Sequence, residues 1–463
     1  MKQAFTFNTL VMIYAVVVLV AIATWFVPGG EYQRETHDGR TLVVPGSFTY
    51  APSAPQGIGA IFTAPVKGFL QASSIIVFVF IIGGAFAVVQ KTGAVAVSVQ
   101  RIGYTFAHKP HLQKFFIPVT MTLFSIGGTV FGMSEEVMPF VLIFIPLAIS
   151  LGYDSLVGTA IPFLGAAAGF AGATLNPFTV GIAQGIAEVP LYSGLEYRVV
   201  VWVISTASMI TFVMLYANKI RKDPARSLVA DLDQQRKHDF QLSGDAEVRF
   251  TVRQRIVLIT FVLTIVTLVF GILRYEWFIT EIAGLFLALG IVAGALGGLK
   301  AGEITESFKD GAKDMMGVAF IIGLARALLV IANDGRVMDT LLYGLASVIS
   351  GLHPILAAQV MFIAHGVINF FVHSGSGQAA MTMPIMAPLS DVVGVSRQTA
   401  VLAFQFGDGW VNPILPTSGV TMGVLGLAGI PWERWFKWML PVQIYFFIIA
   451  LLLLIPPFLF NYH

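Results

Sequence analysis

Residues 369–391, NFFVHSGSGQAAMTMPIMAPLSD, and residues 406–423, FGDGWVNPILPTSGVTMG, crowd Gly, Ser, Thr, Asn and Asp into a chain that is otherwise hydrocarbon-soluble. In a bilayer, irregular backbone and uncapped polar groups survive only where protein buries them or where they line a watery cavity. These stretches therefore mark a substrate or ion site, and they imply helices interrupted at membrane depth.

Working outward, composition places the whole chain in that setting. The 463 residues are 56% hydrophobic and 11% charged, with 46 Gly and 38 Phe, which no soluble domain could hide. The expected fold class is an all-α polytopic membrane protein. Zero Cys excludes disulfides, thiolate metal sites and cysteine nucleophiles. A dispersed net charge of +2 gives no basis for nucleic-acid binding. Residues 8–27 have an apolar run too long for a signal peptide and lack a small-residue cleavage site, so they read as a retained transmembrane helix.

A turn-rich, slightly acidic segment, residues 28–55, follows and suits the outside face. Residues 57–70 read as a short interfacial helix and 72–90 as a crossing. Lys91, Arg101, Lys109 and Lys114 then put positive charge in the cytoplasm. The next apolar helix ends in GGTVFGMSEEVMPF, and another starts at once, as in a re-entrant hairpin whose tip lies near Gly132 to Glu135. In GATLNPFTVGIAQ, Pro177 removes a backbone donor and breaks the following helix near Asn176. Residues 219–254 are polar and rich in Lys and Arg, a solvated cytoplasmic linker.

The second half repeats the first at a spacing of about 240 residues. Phe80-Ile81-Ile82-Gly83 recurs as Phe320-Ile321-Ile322-Gly323, Asn176-Pro177 as Asn412-Pro413, and Val189-Pro190 as Ile430-Pro431. The interfacial helix recurs at 302–314. With the linker inside, residues 255–273 run outward and 279–298 inward, so the second interfacial helix faces the opposite side from the first. The expected organisation is two inverted repeats, 1–218 and 255–463, joined by 219–254, with about eleven spanning elements. The N-terminus lies in the cytoplasm and the C-terminus outside. Arg434 and Lys437 in PWERWFK, on the inner side, agree. Inverted repeats with broken helices are the architecture of secondary transporters; a channel is the alternative that lacks a saturable cycle.

The motifs GMSEEVMPF, GATLNPFTVGIAQ, NFFVHSGSGQAAMTMPIMAPLSD and GDGWVNPILPTSGV resemble those of the YfcC-like branch of the C4-dicarboxylate anaerobic carrier group, within the ion transporter superfamily. The resemblance covers nearly the whole chain. It implies homodimers in the bacterial cytoplasmic membrane, with a fixed scaffold and a mobile domain of two hairpins and two unwound helices moving as an elevator. It leaves C4-dicarboxylates, basic amino acids and peptide-like solutes as cargo. The tips here, Gly132-Met133-Ser134-Glu135 and Ser374-Gly375-Ser376-Gly377, depart from the Ser-Asn-Thr tips of sodium-coupled dicarboxylate carriers.

Ser374, Gly375, Ser376 and Gly377 offer hydroxyls and N–H groups at a helix start, which suit a carboxylate. Asn176, Thr179, Asn412, Thr417 and Ser418 flank the breaks and read either as helix caps or as site residues: Asn176, Asn412, Thr417 and Ser418 as candidates for binding solute, and Asn176, Thr179, Asn412 and Thr417 as candidate oxygen ligands for Na⁺. Ser134, Glu135 and Glu136 form the first tip. A charge at the bilayer centre costs about 2.5–3.5 kcal/mol on insertion scales, so a transported amine, a coupling Na⁺ or H⁺, or Arg326 must offset these acids. Adjacent residues on a helix diverge, so one Glu is expected to face the site. Asp408 beside Asn412 reads either as a ligand or as a helix N-cap. His365 and His373 read as packing residues, and Arg326 as a residue that snorkels to an interface. The acids favour an amino acid or short peptide over a dicarboxylate. An enzyme reading, an intramembrane aspartyl protease built on Asp154 and Asp408, fails on spelling: Gln405 stands where Gly-x-Gly-Asp needs Gly. No cofactor is expected.

Overall fold

A backbone surrounded by hydrocarbon must satisfy its own N–H and C=O groups, and the apolar runs do so as helices. The computed structural model describes residues 9–37, 40–98, 101, 110–234, 236, 250–275, 277, 279–460 and 462. The expectations for the extreme N-terminus, Lys109, linker residues 237–249 and the end of the C-terminal tail lie outside these residues.

Helix α1 (Thr9–Ala23) is followed by β1 (Gly30–Glu31), β2 (Arg34–His37), β3 (Arg40–Val43) and β4 (Thr49–Tyr50). Strand β1 pairs antiparallel with β4, and β2 with β3. The all-α expectation is corrected at this segment. It lacks a helical apolar period, and Asp38-Gly39 between the paired stretches is a residue pair that favours tight hairpins.

Then come α2 (Ile58–Gln71), α3 (Ser73–Lys91), α4 (Pro110–Phe131), α5 (Met138–Ser150), α6 (Ser155–Ala171), α7 (Ile182–Ile186) and α8 (Leu195–Lys222). The second half holds α9 (Val252–Tyr275), α10 (Ile279–Leu296), α11 (Ala301–Asp314), α12 (Met316–Asp334), α13 (Val337–Ile349) and α14 (Pro354–Asn369). It closes with α15 (Gly375–Val392), α16 (Arg397–Gly409), α17 (Gly419–Ala428) and α18 (Trp432–Leu453).

Among the described residues, six helical stretches are long and apolar enough to cross a membrane, and four apolar helices are shorter. The expectation of about eleven spanning elements counts interrupted and shorter helices as well. Large apolar side chains point outward along α9, with Ile259, Leu263, Val266 and Phe270 all exposed. Such a row is stable against lipid and not against water.

The two halves pack reciprocally. Helix α2 docks on α12, and α11 docks on α3. Each contact is made through paired glycines. A Cβ on Gly68 would stand 2.4 Å from the Gly323 carbonyl oxygen, and one on Gly311 would stand 2.3 Å from the Gly83 carbonyl oxygen. Backbone atoms cannot swing aside as a side chain can. Gly311→Val is therefore expected to lower stability by about 1–3 kcal/mol or more through overpacking. Gly302→Ala on the same helix, which meets nothing within 4 Å, should be neutral. Thermal unfolding of the purified protein in detergent checks both; an unchanged melting temperature for Gly311→Val would show that the close contact does not support the fold.

A second unit gathers the interrupted elements. Helix α6 packs against α4, α5 and α8; α16 packs against α14 and α15; α15 also packs on α7, and α17 on α5.

The linker is not solvated throughout. Val229 and Asp233 are fully buried. The Ser155 N–H donates to Asp233 Oδ2 at 2.7 Å, Arg236 donates to the Ala428 carbonyl at 2.7 Å, and Arg434 forks onto Asp231. Those Arg434 hydrogen bonds hold the Asp231 carboxyl down at about 2. The polar composition of this segment gave no sign of docking, because its partners are helix ends distant in sequence.

Candidate functional site

Helix α4 ends at Phe131, and Gly132 turns the chain with φ +70°, a conformation that favours glycine. A Cβ there would also stand 2.6 Å from Asn176 Oδ1. The Ser134 N–H donates to Glu136 Oε2 at 2.8 Å, so Glu136 closes the tip and is buried. Glu135 is half-buried. The two acids thus differ: Glu136 holds the turn from a buried position, and Glu135, which also engages the Ser134 side chain, is the more exposed.

At the second tip the turn runs through Phe370 to Ser374, slightly earlier than expected. Ser374 caps α15 by accepting the Gly377 N–H at 3.2 Å, so Gly375, Ser376 and Gly377 belong to the first helical turn. An 18-residue helix thereby aims its free N–H groups at the tip. A Cβ on Gly375 would meet Thr179 Cγ2 at 2.5 Å and Asp408 Oδ2 at 3.0 Å, so this glycine lets the second tip press against the first break and against Asp408.

The first interruption separates α6 from a π-helical turn, Pro177–Gly181, capped by Asn176, whose Oδ1 accepts the Phe178 N–H at 2.9 Å. The second separates α16 from α17. There, Asn412 Nδ2 donates to Asp408 Oδ1 at 3.3 Å, and Asn369 Nδ2 donates to Asn412 Oδ1 at 3.1 Å and to the Asp408 carbonyl at 3.0 Å. Ser418 caps α17. Asp408 is not an N-cap: it lies in the last turn of α16, where the helix dipole disfavours an anion. It is fully buried, and its Oδ2 has no hydrogen-bond partner.

One cavity of about 280 Å³ joins these parts. Its walls include Ser134, Glu135 and Glu136 of the first tip, Ser374, Gly375 and Ser376 of the second, Thr179 of the first break, and Asn412 and Thr417 of the second. Both Glu residues line it, where one was expected. Four expected residues stand back from the wall. Asn176 lies behind Gly132, Asp408 behind Gly375, Gly377 serves as the capped N–H, and Ser418 lines a smaller adjoining void of about 40 Å³.

The cavity also takes in residues that sequence reasoning missed or underrated. Gln71 and Ser74 flank the junction of α2 and α3. Arg326 lines the wall and donates from Nε to Gln71 Oε1 at 3.3 Å. His373 lines both voids and shares a 2.6 Å hydrogen bond with Thr417 Oγ1, whereas His365 is buried against Phe404 with neither ring nitrogen partnered. A charged residue inside an apolar helix was the signal for Arg326. Gln71 carries no such signal, because its place depends on the docking of α2 on α12.

Among the four Na⁺ candidates, Thr179 presents a buried hydroxyl without a partner. Asn176 Oδ1 and Asn412 Oδ1 each already accept a hydrogen bond, and Thr417 is held by His373. Asp408 Oδ2 is likewise unpartnered and faces Gly375, whose other close neighbour is the Thr179 methyl group. The two aspartates of the protease reading lie far apart. Asp154 caps the start of α6, whereas Asp408 lies next to Gly409, which packs on Ala171 at its far end. Seventeen residues of helix span roughly 25 Å, too far for a shared dyad.

Residues 7–458 match the sequence model of the C4-dicarboxylate anaerobic carrier family. An Escherichia coli K12 protein named "Putative basic amino acid antiporter YfcC" is 38% identical over 93% of this chain and 92% of its own length. An uncharacterized protein of Haemophilus influenzae is 29% identical over 95% of each chain. Among solved structures, the Alcanivorax borkumensis YdaH transporter covers 98% of this chain and 99% of its own at 16% identity and a TM-score of 0.45. Neisseria gonorrhoeae MtrF, described as one of a class of antimetabolite efflux pumps, covers 96% and 94% at 18% identity and a TM-score of 0.41. The chain is a multi-pass membrane protein and belongs to the C4-dicarboxylate anaerobic carrier family of transporters.

Proposed function

We propose that the chain is an ion-coupled secondary transporter, symporter or exchanger, of small solutes that carry both a carboxylate and an amine. Amino acids, basic ones included, fit this description best. The observation that carries the reading is the charge content of the cavity: Glu135 and Glu136, Arg326 and the Ser374–Ser376 helix start all line it. A volume of about 280 Å³ stands at the low end of the ~300–1,000 Å³ of ligand pockets, which suits one amino acid better than a peptide. The name of the Escherichia coli relative points the same way.

The mechanism follows from two bodies. In this reading the hairpins and interrupted helices form a mobile domain, and α1 to α3 with α9 to α12 form a scaffold. The repeats are inverted, with 1–218 and 255–463 as the units; the reciprocal glycine contacts Gly68–Gly323 and Gly311–Gly83 support this. The protein works as a homodimer in the bacterial inner membrane by an elevator movement. A coupling Na⁺ or H⁺ sits near Thr179 and Asp408, behind the second tip.

A second reading, a C4-dicarboxylate carrier, is favoured by the family's description and by the Arg326 charge on the wall. The two separate by thermal stabilisation of the purified protein. A ligand at 100 times its Kd stabilises the folded state by about 2.7 kcal/mol, an easily read shift. Lysine or arginine should raise the melting temperature and succinate should not; a shift with succinate alone selects the dicarboxylate reading.

A further inference from the structure

Arg326 stands in the interior of α12, ten residues from Met316 and eight from Asp334. At 1.5 Å per residue, that is roughly 12–15 Å from either helix end, so snorkelling does not explain it. The side chain is half-buried on the cavity wall. Its hydrogen bond runs from Nε to the neutral Gln71 amide, and no ion pair ties it to a carboxylate among the described residues. A guanidinium at membrane depth without a counter-anion is costly. Glu135 and Glu136 share the cavity with it and leave it unpaired, so the space between the charges has opposite poles.

We propose that Arg326, oriented by Gln71, is the residue that recognises the solute's carboxylate. The proposal rests on the transport reading above and deepens it. Guanidinium presents five N–H donors in a planar fork matched to a carboxylate, and Gln71 occupies the Nε side, leaving the Nη pair for a bidentate contact. The Ser374 and Ser376 tip supplies dipoles alongside but no formal charge. Arg326 comes from α12, which docks on α1 and α2 and also packs on α17. A solute with an amine and a carboxylate reaches from Glu135 to Arg326 and bridges the two. A diamine engages the hairpin side alone, and a dicarboxylate sets one carboxylate against Glu135.

Equilibrium binding to the purified full-length protein tests this with two probes, lysine and cadaverine, which is lysine without its carboxylate. Arg326→Gln should weaken lysine about ten- to hundredfold, the range of a charged hydrogen-bonded contact, and leave cadaverine unchanged or tighter. Retained cadaverine binding is itself the control for folding. Arg326→Lys keeps charge but loses the fork and should fall between; Gln71→Ala should weaken lysine only. Equal loss of both probes in Arg326→Gln overturns the proposal in favour of a structural role. Unaltered lysine binding overturns it in favour of the tip alone. Wild-type protein that binds neither probe overturns the basic-amino-acid cargo reading and this inference with it.

Discussion

Glu135→Gln is expected to weaken binding of lysine about ten- to hundredfold, with no ion gradient present. Glu136 is committed to the Ser134 N–H, so its carboxylate is already part of the turn, whereas Glu135 is more open to the cavity. A glutamine keeps the shape and removes the charge, so the loss reports the ionic contact with an amine. Glu136→Ala should behave differently, weakening every solute alike because the tip itself loosens. The competing idea assigns both acids to a coupling ion. It predicts that Glu135→Gln leaves ion-free lysine binding intact, and isothermal titration in Na⁺-free buffer decides between the two.

The second large effect concerns coupling. Asp408→Asn should reduce gradient-driven accumulation on the order of tenfold or more while sparing exchange at zero gradient. Asp408 is held at the unfavourable end of a helix, fully buried, with one oxygen unpartnered. A carboxylate kept there against the dipole and without a counter-charge has a reason if a cation visits it. Asn preserves the Asn412 contact, so the fold should be unaffected. Accumulation that persists at the wild-type level in Asp408→Asn would remove this residue from coupling. Loss of both accumulation and exchange would instead place it in solute binding.

Much of the architecture was legible because membrane burial makes polar punctuation conspicuous. Gly132, Asn176-Pro177 and Asn412-Pro413 stand out in apolar sequence, and the structure interrupts helices at or beside them. The first tip was read in register because Gly132 needs a left-handed turn. The second was read slightly late, since Ser374 as a helix cap and Ser376 as a turn residue look alike until the Gly377 N–H is placed. What could not be read depends on contacts between distant segments. Arg326 looked like a snorkelling residue until α2 brought Gln71 beside it, and Asp233 looked solvated until Ser155 received it. The division of labour between Glu135 and Glu136 followed only from one hydrogen bond within the tip.

On the proposed reading, one alternating cavity carries an amine-bearing carboxylate. Counterflow tests it most directly: proteoliposomes preloaded with unlabelled lysine are diluted into a trace of labelled lysine without any ion gradient. The account predicts transient, saturable accumulation of label above its outside concentration. It also predicts that Glu135→Gln suppresses this accumulation and that external succinate does not compete. Flux that rises linearly with concentration and never overshoots would indicate a channel, and accumulation of labelled succinate with none of lysine would contradict the cargo assignment.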